Sequence, residues 1–349
     1  MADIEVISNY PVLERKRTGL FSLDYAVSSR GDYGLPTRNL IEIFGYPNSG
    51  KSTLSYYLSG VMSNEPEITI CDLENLDIQY LKTAVGSSGW KGKIKVIDPV
   101  TEGTGRPHEE MLQEGVANLS KDSGCLLVDS IGAIQPIAEA SGDFGEAFIG
   151  KRAKLVAQLT RAIANELRNK ETSSTSIIIN HVMGIIGGRG HTTPGGDVKN
   201  FMAGVRIYMW TKEAVKKSDE DDTPLGFLTA GKIEKLRFGG RGRSFQFYVV
   251  PGFGVHPGAS AMFDCFELGL ADRGTTVKMD GKSMGYIKKE FLDYAAEGKT
   301  RKFDPFIEKL MQYESEQRFS STEWDSSEEV KDEPATVVEP KRRKAKKAD

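Results

Sequence analysis

The first residues able to do chemistry are Gly45-Tyr46-Pro47-Asn48-Ser49-Gly50-Lys51-Ser52. Glycine lets the backbone turn tightly enough for its N–H groups to point at phosphate oxygens. An apolar run, residues 40–44, precedes the motif and a helical pattern starts at Lys51, the strand–loop–helix setting that this phosphate cradle requires. The helix adds the positive end of its dipole. Lys51 then reaches the β- and γ-phosphates of ATP, Ser52 ligates Mg²⁺, and Thr53 completes the nucleotide-binding run that starts at Gly45. A second apolar run, 125–128, ends in Asp129, a carboxylate placed to hold Mg²⁺ directly or through water. Capping the next turn is the other use of an aspartate there. Glu74, just past the run 68–71, is the candidate for orienting and deprotonating an attacking water. On its own it would read as a solvated loop carboxylate.

These groups need a scaffold. Buried β-branched runs at 40–44, 68–71, 94–97, 125–128, 176–179 and 205–209 alternate with helical stretches from Lys51, Asp77, His108 and Glu146. That alternation predicts an α/β fold with a twisted, mainly parallel sheet flanked by helices. Residues 227–238 and 244–250 flank Gly239-Gly240-Arg241-Gly242 and read as an added hairpin. After about Tyr313 the chain becomes rich in Ser, Glu and Asp and ends in a Lys/Arg cluster, the pattern of a disordered tail, acidic then basic.

At 349 residues the chain has room for one large domain or two modest ones. A net charge of −3 excludes bulk basicity as the means of holding nucleic acid, so any such site is a local cluster. Three cysteines without CxxC spacing exclude a zinc ribbon and a disulfide framework, which fits a reducing cytosol. The N-terminus lacks a signal pattern and no stretch approaches the ~18 apolar residues of a membrane span, so a soluble intracellular protein is expected.

Further segments carry a resemblance. Thr18-Gly19, Ser22-Leu23-Asp24, Gly34-Leu35-Pro36 and Glu42-Ile43-Phe44-Gly45 resemble the lead-in to the P-loop of the RecA family of recombinases, including its phage-encoded members. Asp72-Leu73-Glu74-Asn75-Leu76-Asp77-Ile78-Gln79-Tyr80 resembles the segment carrying that family's catalytic glutamate, with Asp77 and Tyr80 against adenine and one residue fewer between glutamate and aspartate. Asn180-His181 stands where bacterial members have Asn-Gln, so the resemblance gives His181 the role of sensing the γ-phosphate. The likeness runs from about residue 18 to 285.

It implies two DNA-binding loops, at about 135–150 and 183–197. Phe148 and Ile149 lie near the place of an apolar residue that inserts between bases. Lys154 and Arg161 match residues used near DNA, on a helix whose basic side is otherwise an ordinary solvated face. The stretch 183–196 holds six glycines with Arg189 and His191, and Gly195-Gly196 matches a pair that approaches the DNA backbone. Lys235 aligns with a cation that reaches phosphates held by the next subunit, although a solvated edge-strand lysine fits the same pattern. The domains expected are a short segment 1–33 with a possible docking strand at Ile4-Glu5-Val6, an ATPase core 34–265, a small C-terminal α+β region 266–313, and the tail 314–349.

What the family implies is a cytoplasmic, DNA-dependent ATPase, in the host cytoplasm if phage-encoded. With ATP and Mg²⁺ it would coat single-stranded DNA as a filament, pair it with homologous duplex DNA and exchange strands. Single-strand-binding and loader proteins would be partners, and recombination, repair of DNA damage and the SOS response the setting. Two alternatives share much of the pattern. One is a ring helicase or branch-migration motor, against which stand the missing zinc ribbon and the paired glycines. The other is a non-exchanging accessory protein, against which stands the intact set of Lys51, Ser52, Glu74, Asp129 and His181.

Overall fold

The computed structural model describes residues 14–28, 32–64, 66–101, 104–119, 124–140, 150–168, 174–184, 191–218, 223–237 and 242–320. Its main sheet has nine strands: β1 (Leu40–Gly45), β2 (Glu67–Asp72), β3 (Lys93–Ile97), β4 (Cys125–Asp129), β5 (Thr175–His181), β6 (Val205–Lys216), β7 (Pro224–Leu236), β8 (Ser244–Val250) and β9 (Gly254–Val255). Across the sheet they lie in the order β9-β8-β7-β6-β1-β5-β4-β2-β3. Every pair from β6 across to β3 is parallel. Those from β9 to β6 are antiparallel. The fold is α/β, as its alternating pattern predicts.

β6 runs well past the apolar stretch 205–209, through twelve residues. Beyond Met209 it is mostly polar or half exposed, so no apolar run marks it. Hydrogen bonds to β7 carry the strand on, from Val205 opposite Leu236 to Lys216 opposite Pro224.

Strands buried on both faces send alternate side chains into opposite layers. Ahead of the sheet stands α1 (Phe21–Ala26), which buries Leu23 and Ala26. Ile41, Ile43, Ile70, Leu127 and Ile179 pack in one core with Leu54 and Leu58 of α2 (Lys51–Met62) and Leu81 of α3 (Ile78–Gly86). Leu40, Cys71, Leu126, Val128 and Ile178 face the other way, toward Met111 of α4 (His108–Leu119) and Val156 and Ile163 of α5 (Lys151–Glu166). Residues 141–149, including the helix start expected at Glu146, lie outside the described residues. α6 (Val198–Met202) leads into β6.

A third core joins the far ends of β6–β8 to α7 (Pro257–Glu267) and to Phe291, Phe303 and Phe306. The residue pair 265/266, where a domain boundary is expected, falls inside α7. A three-stranded antiparallel sheet, Asp272–Arg273, Thr276–Met279 and Lys282–Tyr286, follows. Contacts gather Met1–Met311 into one compact unit and Gln312–Asp349 into a second. The last helix, α8 (Asp304–Ser320), continues past residue 314, where the sequence puts the start of the tail. Glu, Gln and Arg are good helix formers, and Glu314 itself is buried. Residues 321–349, and Ile4-Glu5-Val6, lie outside the described residues. No described helix is long and apolar enough to cross a membrane.

The segment 14–28 belongs to the core rather than to an arm. Leu20, Leu23, Ala26 and Val27 are fully buried. The Ser22 N–H donates to Asp264 Oδ2 (3.1 Å) and its hydroxyl to the Gln246 carbonyl (2.8 Å). Burial pushes the Asp264 carboxyl up to about 7, with hydrogen bonds from Ser22 and Gln246 opposing. Folding therefore favours the protonated acid. That contribution is whole below the unfolded value near ~4 and is lost as pH rises through about 7. We expect melting curves from pH 5 to 8 to show a smaller loss of Tm for Asp264→Asn than for the parent chain; parallel profiles would remove Asp264 as the source.

Candidate functional site

The parallel register brings the chemistry to one edge. Gly45 pairs with His181, Phe44 with Asn180 and Asp72 with Asp129, so β1, β5, β2 and β4 end side by side. From β1 the chain turns through Tyr46-Pro47-Asn48-Ser49 into α2, with Asn48 at φ 59° and Gly50 at φ 75°. A Cβ at Gly45 would lie 2.4 Å from the Met209 carbonyl oxygen, so only glycine admits β6 this close. Thr211 of β6 donates to the Asn48 carbonyl (3.0 Å), and Ser49 Oγ (2.8 Å) and Lys51 Nζ (2.7 Å) both donate to the Tyr46 carbonyl. No side chain caps α2, which leaves its first N–H groups for an anion. Burial holds the Lys51 ammonium below its ordinary range, opposed by the charges of Asp129 and Glu74.

Two carboxylates flank the loop in opposite surroundings. Asp129 is buried; Tyr56 of α2 donates to its Oδ2 (2.9 Å), while Oδ1 is buried with no hydrogen-bond partner among the described residues. Burial raises this carboxyl, and the hydroxyls of Tyr56 and Ser52 counter it. Glu74 is more open. His181 Nε2 lies 2.9 Å from its Oε1 and 3.1 Å from Ser130 Oγ, and the Ser130 hydroxyl also donates to Glu74. With the imidazole proton on Nε2, both groups donate to the carboxylate. These bonds, the His181 one foremost, hold Glu74 below the usual carboxylate range against its partial burial. The turn carrying Glu74 is shaped by Asp72, which accepts the N–H groups of Glu74 (3.0 Å) and Leu76 (2.9 Å).

Asp77 accepts from the N–H groups of Gln79 (2.8 Å) and Tyr80 (3.2 Å), so it caps α3. The Tyr80 hydroxyl shares a 2.5 Å hydrogen bond with Thr53, and its ring meets Tyr56 edge-on. Tyr80 thus stands beside α2, while Asp77 is engaged at the start of α3. Lys235 sits opposite Arg206 on β6, back from Met209, and donates to the carbonyls of Asn200 (2.6 Å) and Phe201 (3.0 Å).

A second surface lies on α5 and the stem of the glycine-rich stretch. Lys154 and Arg161 are exposed, with Lys151 and Arg168. Met183–Gly184 pairs with His191–Thr192 and closes the stretch at its base. Gly195 and Gly196 both have positive φ and lie against α5: a Cβ on Gly195 would be 2.8 Å from Val156, and one on Gly196 3.4 Å from Ala153. Phe148, Ile149 and Arg189 lie outside the described residues.

Sequence reasoning missed Ser130, Tyr56 and Asp72. Asp72, two residues before Glu74, had a readable signal, because aspartate commonly accepts the N–H two residues on. The partners of Ser130 and Tyr56 are distant in sequence, and nothing local marks them.

Residues 8–225 match the family described as RecA N-terminal domain. Curated proteins named Protein RecA are similar to this chain. That of Ectopseudomonas oleovorans is 28% identical over 320 residues, 88% of this chain and 82% of its own length. That of Pseudomonas putida is 29% identical over 288 residues, 80% and 76% of the two chains. That of Tropheryma whipplei (strain Twist) is 31% identical over 245 residues, 68% and 52%.

Gly195→Ala should strain the backbone and strike Val156, costing about 1–3 kcal/mol. Thermal melts of Gly195→Ala, Val156→Ala and the double variant check this: the double should recover part of the loss, and strict additivity would mean that the contact carries none of it.

Proposed function

The chain belongs to the RecA family, and from that membership we propose that it is an ATP-dependent recombinase that coats single-stranded DNA and exchanges it with homologous duplex. The observation that carries the reading is the meeting of Lys51, Asp129 and the Glu74–Ser130–His181 cluster at one sheet edge, with the stretch that ends at Gly195-Gly196 starting just after His181.

The roles follow from the surroundings. Lys51 and the N–H groups of α2 receive the phosphates of ATP. The residues present fit Mg²⁺: Asp129 Oδ1 is a buried carboxylate oxygen without a partner among the described residues, and Ser52 faces the same carboxylate. Ser52 and Asp129 would hold the ion, which when bound neutralises phosphate charge. Glu74, kept ionised by its hydrogen bonds, orients water and takes its proton. His181 touches Glu74 and leads into the glycine-rich stretch, so a γ-phosphate contact there is passed to the DNA side. Lys154, Arg161, Gly195 and Gly196, together with Phe148, Ile149 and Arg189, make the DNA face. Asp77 and Tyr80 border adenine, and Lys235 is offered to the neighbouring subunit's phosphates. The ATPase core, expected over 34–265, takes in the buried segment 14–28 as well and runs to the end of α7, with the small C-terminal region and then the tail after it; the cytoplasm is the setting.

The test is negative-stain electron microscopy of the purified chain with single-stranded DNA, Mg²⁺ and a slowly hydrolysed ATP analogue. Regular filaments are expected with the parent chain and with Glu74→Gln, and none with Lys51→Ala. Glu74→Gln should lower ATP turnover by about 10²-fold or more while still binding nucleotide. Closed rings would favour a helicase-type motor, and isolated particles an accessory protein.

A further inference from the structure

Beneath the edge just described lies a cluster of buried charges that the chemistry above does not use. Glu42 stands on β1 three residues before Gly45 and is fully buried. Its two oxygens divide their partners. Oε1 accepts from Asn180 Nδ2 (2.9 Å) and lies 3.3 Å from Lys199 Nζ, while Oε2 accepts from Arg206 Nε (2.5 Å). Arg206 in turn lies over the Phe44 ring, 4.6 Å from its centre.

Lys199, on the short helix α6, is also fully buried. An ammonium group has three protons to place. Here three acceptors surround it: the Glu42 carboxylate, Thr193 Oγ1 (2.5 Å) and Asn200 Oδ1 (2.8 Å). Asn180 mirrors this. Besides Glu42, its amide donates to the Pro194 carbonyl (3.1 Å), and its Oδ1 accepts the N–H of His181 (2.9 Å). Thr193 and Pro194 immediately precede Gly195-Gly196. Two separate bridges therefore run from one carboxylate of the phosphate-loop strand to adjoining residues in the stem of the glycine-rich stretch.

Stability alone does not account for this arrangement. Burying a lysine and a glutamate removes both from water, and apolar residues of similar volume commonly serve a core as well or better. What a charged cluster supplies and an apolar one does not is direction, because each bond fixes a named atom of the stem against a named atom of β1.

We propose that Lys199 is a positioning residue, fastening the stem at Thr193 to Glu42 so that nucleotide on the phosphate loop and single-stranded DNA on the glycine-rich stretch favour the same arrangement. The idea rests on the recombinase reading for the identity of the two ligands. It adds a route through Glu42 that does not pass through His181. Coupling between two sites is reciprocal and is read as the factor by which one ligand tightens the other.

The experiment measures the affinity of the full chain for a fluorescent single-stranded oligonucleotide by anisotropy, with and without the slowly hydrolysed ATP analogue, and the affinity for the analogue alone. Lys199→Met keeps the volume and leaves Glu42 paired with Arg206 and Asn180. We expect it to cut the nucleotide-induced tightening at least about fivefold, while affinity for the analogue alone stays within about twofold. Thr193→Val, at a half-exposed position that leaves Lys199 and Glu42 in place, should cut the tightening in the same direction. The double variant should do little more than Lys199→Met. Undiminished tightening in either single variant, melting as a folded chain, overturns the role of Lys199. If Lys199→Met fails to fold, Thr193→Val decides alone. A parent chain whose DNA affinity ignores the nucleotide overturns the recombinase reading, and the coupling with it.

Discussion

The parallel hydrogen-bond ladder joining β1, β5, β4 and β2 governs every other feature of the molecule. Its register sets Gly45 beside His181 and Asp72 beside Asp129, so groups from four stretches of sequence end at the same height. Side-chain alternation pins that register, because a slip of one residue would exchange the two faces of a strand. In β4, Cys125 and Leu127 enter one core and Leu126 and Val128 the other. The same division in β5 puts Ile177 and Ile179 opposite Ile178. Close packing of α2–α3 on one layer and α4–α5 on the other thus holds an alignment of Lys51, Glu74, Asp129 and His181 that no single side chain could fix.

Within that frame, environment separates two carboxylates of like chemistry. Asp129 is enclosed and raised by burial, with one oxygen bonded to Tyr56 and the other without a partner among the described residues. Glu74 is half open and lowered by donors from Ser130 and His181. Opposite shifts of this kind let two acids of one type differ in charge at the same pH.

Much of this was legible beforehand, and the reasons differ by residue. The strands of the parallel half announce themselves because burial on both faces demands unbroken apolar runs. The turn from Gly45 to Gly50 was legible because close approach of β6 and positive φ restrict its residue types. The far half of β6 was not, since a strand held by backbone bonds along a polar edge leaves no apolar trace. Ser130 and Tyr56 were hidden because their partners come from distant parts of the chain. Lys199 was misleading in type: a lysine reads as a surface residue, and it is held inside by Glu42 and Thr193, which the fold brings to it, together with Asn200. Lys154 and Arg161 fall on the open side of α5, where helical spacing puts them.

The position of β1 also bears on how the chain acquires its shape during synthesis. The strand that carries the phosphate loop leaves the ribosome first among the nine, yet its neighbours are β5, ending at His181, and β6, beginning at Val205. β2, β3 and β4 can pair among themselves as soon as residue 129 has been made. β1 must wait with both edges unpaired until β5 has been made, more than a hundred residues later, and α1 waits longer, for Gln246 and Asp264. Unpaired edges of this kind invite association with other chains, and long-range closure slows the final step. Of the strands in the parallel half, β1 is therefore the one whose two edges stay open across the longest stretch of synthesis.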